Sequence, residues 1–123
     1  MRLPTRLLVG FVALQHFGFL VLEAFFWTSE FGRKTFATTP EFAEASKVLA
    51  ANQGLYNGFL AAALVMGLLA KDKHVARATL TFTLACVVVA GIVGGITAKP
   101  SILLVQGLPA LMALVLVRRD RTA

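Results

Sequence analysis

Glu23, His16, Asn52, Gln53, Tyr56, Asn57 and Gln106 are polar side chains set into apolar surroundings, and chemistry is to be sought among them first. Ionisable groups inside a spanning helix are costly, so they mark a pathway or a ligand site. A carboxyl such as Glu23 can serve there as a counter-ion, a proton carrier or a hydrogen-bond anchor. On a helix, His16 and Glu23 lie about 700° apart, within about 20° of one face, and about 10 Å apart along the axis. They cannot touch directly, yet both can line one stripe, and Trp27 falls on it too. Gln53, Tyr56, Asn57 and Leu60 recur at i, i+3, i+4 and i+7, which also places them on one helix face.

The elements that must position these groups follow from hydropathy. The chain of 123 residues is 58% hydrophobic, well above an ordinary soluble domain. Its mean hydropathy is +0.79. Four apolar stretches stand out at residues 7–27, 49–70, 78–98 and 102–117. Spans of about 20 residues each use up nearly the whole chain. The expectation is an all-α fold, a four-helix transmembrane bundle forming a single integral membrane domain over residues 1–123. The last stretch is short and needs tilt or local thinning of the bilayer. The first stretch is too long for a signal peptide and lacks a small-x-small cleavage site, so it reads as a retained helix.

Residues 28–47 form the longest polar segment. Within it, Thr39-Pro40-Glu41 supplies an N-cap, an N1 proline and an acid for the positive helix end. The spacing predicts a helix from about Pro40 that runs on into the second span. Lys71-Asp72-Lys73-His74 and Lys99-Pro100-Ser101 read as tight breaks, and Pro109 predicts a kink. Gly54-x-x-x-Gly58 and Gly91-x-x-x-Gly95 match the close-packing pattern of membrane helices.

The net charge of +6 does not point to nucleic acid, because the basic residues fall between apolar spans and no nucleic-acid motif is present. It reads as a topology signal. Arg2, Arg6, Lys71, Lys73, Arg77, Arg118, Arg119 and Arg121 fall on one side, and Arg33, Lys34, Lys47 and Lys99 on the other. The surplus places both termini in the cytoplasm and residues 28–47 outside. The expected location is the bacterial inner membrane, crossed several times. With that orientation Glu23, Asn52, Gln53, Tyr56, Asn57 and Gln106 share one outer layer by depth. A bland reading stands beside the functional one: these groups glue helices together at about 0.6 kcal/mol per bond. No second intramembrane histidine accompanies His16, so no metal site is read, and the identity of any cofactor is left unknown.

At these residues the chain resembles a known family. Leu14-Gln15-His16, Leu22-Glu23-Ala24-Phe25-Phe26-Trp27-Thr28, Gly32-Arg33-Lys34, Pro40-Glu41-Phe42 and Ala50-Ala51-Asn52-Gln53-Gly54-Leu55-Tyr56-Asn57-Gly58 carry the likeness, which extends over essentially the whole chain. The family is domain of unknown function 1304. The resemblance implies a small four-helix membrane protein and supplies no activity.

The favoured expectation is a protein that binds or carries a small amphipathic or lipid-like ligand in the outer leaflet. Glu23, His16, Trp27, Asn52, Gln53, Tyr56, Asn57 and Gln106 would contact it, with the ten phenylalanines available as apolar wall. A proton-coupled exporter is the first alternative, since small multidrug resistance transporters share the layout. Their antiparallel pairing conflicts with the charge bias here, whereas a parallel homo-oligomer does not. A scaffold or accessory subunit is the next alternative. A small membrane enzyme is the least favoured, and no catalytic residue is assigned.

Overall fold

Each helix begins and ends where local chemistry requires. The computed structural model describes residues 1–120, and no strand occurs among them. Helix accounts for 87% of the described residues, so the all-α class holds. The elements are α1 (Leu3–Phe25), α2 (Glu30–Phe36), α3 (Pro40–Leu69), α4 (Lys73–Thr97), a π-turn (Leu103–Gly107) and α5 (Leu108–Arg119).

The polar segment after α1 contains a short helix in addition to the one expected from Pro40. Ser29 caps α2, its hydroxyl accepting the Gly32 N–H at 3.1 Å. Glu30 sits in its first turn and Arg33 and Lys34 in its last, each matching the local helix charge. Ala37 ends it in the left-handed region, at φ 53° and ψ 46°. The N–H groups of Ala37 and Thr38 both reach Arg33 O. That conformation costs a β-carbon residue about 1–2 kcal/mol, and the two carbonyl-bound N–H groups offset it.

α3 starts at Pro40, where the sequence signal puts it. The Thr39 hydroxyl accepts the Phe42 N–H at 3.1 Å. Asp72 caps α4, accepting the His74 and Val75 N–H groups at 2.8 and 2.9 Å. These bonds hold the Asp72 carboxyl below its ordinary pKa. The expected loop at residues 71–74 is thus shorter, since Lys73 and His74 already belong to α4.

The fourth apolar stretch departs most from expectation. It is a π-turn followed by a 12-residue α-helix rather than one α-helix. Pro109 is the cause. In an α-helix its ring would meet the carbonyl of Val105 and its nitrogen would donate nothing. The wider turn resolves both, and Leu108 N–H donates to Leu103 O, five residues back. α5 alone is about 18 Å long, too short for a hydrocarbon core of about 30 Å. Among the described residues, three helices, α1, α3 and α4, are long and apolar enough to cross a membrane.

The chain forms two compact units. Met1–Ala13 with Ala62–Ala123 make the first, and Leu14–Ala61 the second. The first buries Val9, Val12, Leu64, Leu80, Leu84 and Val87 completely. Gly91 and Gly107 let α4 and the π-turn touch backbone to backbone: a β-carbon on Gly91 would lie 2.8 Å from Gly107 Cα. One on Gly95 would collide with Leu103. Arg2 closes this unit by donating its backbone N–H to Asp120 Oδ2 at 2.8 Å, with Nε 3.7 Å from Oδ1.

The second unit inverts the usual polarity. His16, Glu23 and Asn57 are buried along with Ala43, Ala50 and Ala61, while Leu14, Phe25 and Leu49 are about 70% exposed or more. Only 22% of the most apolar stretch of α1, and 33% of those of α3 and α4, is buried. Helices that turn Leu, Phe and Val outward and small or polar residues inward suit a hydrocarbon solvent.

Candidate functional site

The acid at the end of α1 meets one of the four candidates on α3. Asn57 Nδ2 donates to Glu23 Oε1 at 3.2 Å, across 34 residues of sequence. Both side chains are buried, each residue 8% exposed. Two glycines make the approach feasible. A β-carbon on Gly54 would sit 3.1 Å from Glu23 Cβ, 3.2 Å from Ala24 N and 3.2 Å from Leu20 O. On Gly58 it would sit 3.0 Å from a Leu20 methyl. The Gly54-x-x-x-Gly58 motif is therefore the seam along which α3 lies on α1, and it delivers Asn57 to the carboxylate.

Glu23 Oε2 is buried and accepts no hydrogen bond among the described residues. A carboxylate oxygen in an apolar site normally has a partner, because desolvation without one is costly. One carboxyl oxygen is thus held by an amide, and the other is buried with no hydrogen-bond partner among the described residues.

The other expected residues are distributed differently. His16 is fully buried, its ring edge-on to Phe19 at 5.3 Å. Trp27 lies beyond the end of α1 and is half-buried. Its Nε1–H donates to Ser46 Oγ at 3.0 Å, and its ring rests 4.8 Å from Phe36. It therefore ties the inter-helix segment to α3. Asn52, Gln53 and Tyr56 are exposed, Tyr56 standing edge-on to Phe59. Gln106 is half-buried in the π-turn and belongs to the first unit. Among the described residues no three His, Cys, Asp or Glu side chains cluster closely enough for a metal ion.

A second feature lies wholly within the first unit. A pocket of about 350 Å³ is walled by Arg6, Lys73, His74, Arg77 and Asp120, with Gly67 and Val117 among its smaller residues. None of the expected site residues lines it. Sequence reasoning counted its bases only as topology signals. The spacing of Lys73 and Arg77, one turn apart with like charge, was the available clue.

The family model described as "Protein of unknown function (DUF1304)" matches residues 10–118. The chain is similar to "Uncharacterized protein YpaA" of Lactococcus lactis subsp. lactis (strain IL1403), at 30% identity over 119 residues. That match covers 94% of this chain and 97% of the relative. No solved structure matches. With Glu23 and the Asn57 run inside the matched region, the chain belongs to the DUF1304 family.

Proposed function

We propose that this is a multi-pass protein of the bacterial inner membrane that binds a small amphipathic ligand through Glu23 and Asn57. The observation that carries the reading is the buried Glu23 Oε2, which accepts no hydrogen bond among the described residues while Asn57 holds Oε1. A ligand with an ammonium or hydroxyl end supplies the missing donor, and its apolar tail suits the exposed phenylalanine and leucine faces of α1 and α3. The membrane setting is a four-helix bundle with cytoplasmic termini. The π-turn and α5 supply its fourth span, together about 25 Å long, which local thinning accommodates. The eight-to-four division of Lys and Arg supports the orientation.

The test uses the purified chain in neutral detergent, a long-chain primary alkylamine and the alcohol of the same length. The amine is expected to bind in preference to the alcohol, since a charged hydrogen bond is stronger than a neutral one. Glu23→Gln keeps the shape and is expected to weaken amine binding by about tenfold or more, the worth of a charge-assisted bond. Glu23→Leu is expected to lower the melting temperature as well, by stranding the Asn57 amide. A folded Glu23→Gln protein that binds the amine as tightly as the native chain leaves Glu23 as helix glue only.

A further inference from the structure

The basic pocket of the first unit is independent of the Glu23 site and carries its own chemistry. Its wall brings together the start of α1 (Arg6), the end of α3 (Gly67), the start of α4 (Lys73, His74, Arg77) and the end of α5 (Val117). Asp120 is the one acid in that wall among the described residues, and Arg2 engages it through both backbone N–H and guanidinium. Arg6, Lys73 and Arg77 have no carboxylate partner among the described residues. Asp72, next to Lys73 in sequence, points its Oδ1 at the α4 backbone instead.

Among the described residues, three positive side chains therefore line one concavity whose acid, Asp120, is already engaged by Arg2. Lys73 and Arg77 stand one turn apart on α4, an arrangement that disfavours the helix when both are charged. A topology signal needs basic residues only on the correct side of the membrane, and the exposed Lys71, Arg118 and Arg119 fit that need without lining this pocket. Arg77 is also oriented: its Nη2 donates to Arg118 O at 2.5 Å. That bond fixes the guanidinium plane and leaves its remaining N–H donors for a tetrahedral anion. The volume of about 350 Å³ lies in the range of small-ligand sites. Basic pockets between membrane helices suit anionic headgroups.

We propose that this pocket binds a phosphate-bearing anion through Arg6, Lys73 and Arg77. The phosphate group can come from an anionic phospholipid headgroup or from a soluble phosphate compound, and one experiment separates the two. The full chain in neutral detergent is titrated with short-chain phosphatidylglycerol, with phosphatidylcholine of the same chain length, with inorganic phosphate, and with sodium chloride at matched ionic strength. Melting temperature and a binding isotherm are read. Saturable stabilisation by phosphatidylglycerol, well above phosphatidylcholine, supports the site and assigns it to lipid. Saturable stabilisation by inorganic phosphate at comparable concentrations supports the site and assigns it to a soluble ligand.

Arg6→Gln with Lys73→Gln removes two exposed charges and is expected to weaken binding by about 25-fold, roughly fivefold for each charge. Arg6→Lys with Lys73→Arg is expected to retain most of it. If the doubly neutral variant does not fold, Lys73→Gln alone is expected to give the fivefold loss. The proposal is overturned by equal effects of phosphatidylglycerol and phosphatidylcholine, by chloride reproducing the stabilisation, or by a folded neutral variant that binds undiminished.

Discussion

Two carboxylates illustrate how differently one residue type is used in this chain. Glu23 lies in an apolar interior, one oxygen bound by the Asn57 amide and the other with no hydrogen bond among the described residues, where we propose a ligand donor is recognised. Asp120 lies at the end of α5 and is bound by the Arg2 N–H, which holds its carboxyl below the ordinary range, with Thr5 and the Arg2 charge adding to the effect. The depressed value fixes the sign of a pH effect. The stabilising contribution of Asp120 is fully present above the ordinary pKa of about 3.9 and disappears as pH falls through the lowered one. The chemical shift of the Arg2 amide proton is expected to follow that titration, with a midpoint below about 3.9. It should lose the step in Asp120→Asn. A midpoint at or above the ordinary value would show that the clamp contributes nothing.

At the scale of elements, small residues decide which helices touch. Gly91 meets the backbone of Gly107, so a β-carbon there has nothing flexible to displace. Gly91→Ala is expected to destabilise the chain by about 1–3 kcal/mol, the usual cost of overpacking a tight seam. Gly10 has nothing within 4 Å of its would-be β-carbon. Gly10→Ala is therefore expected to be neutral or to stabilise by up to about 1 kcal/mol through helix propensity. Denaturation midpoints of the two variants should move in opposite directions or differ clearly in size; equal shifts would remove the seam. Some element boundaries were legible in advance because their cause is local. Thr39-Pro40-Glu41 starts α3 through a hydroxyl, a fixed φ and a charge, all within three residues. α2 was missed although Ser29, Glu30, Arg33 and Lys34 carry the matching local signals, because it is only seven residues long and lacks an apolar periodicity.

At the scale of the whole molecule, the outward apolar faces and the charge bias make one arrangement testable. In a Cys86→Ser background, Thr35→Cys is expected to react with an impermeant thiol reagent added to intact cells. Lys71→Cys should react only after the membrane is opened. Both positions are exposed, so accessibility of the side chain itself does not limit the reaction. The reverse pattern would invert the proposed topology, and labelling of both from outside would exclude it.

By itself the sequence determined the helical class, the apolar stretches, the start of α3 and the presence of an acid, Glu23, within one of those stretches. These depend on composition, local capping and the cost of burying charge, which are properties of short segments. Only the tertiary structure decided that Asn57, rather than Asn52 or Gln53, meets Glu23. One residue is about 100° of helix rotation, and the face that turns inward is chosen by the contacts of Gly54 and Gly58 with α1. It also decided that Trp27 bonds Ser46, that Pro109 is accommodated by a π-turn, and that Arg6, Lys73 and Arg77 face one pocket. Bases far apart in the chain line one pocket only when helix ends converge, and no short segment of sequence encodes that convergence.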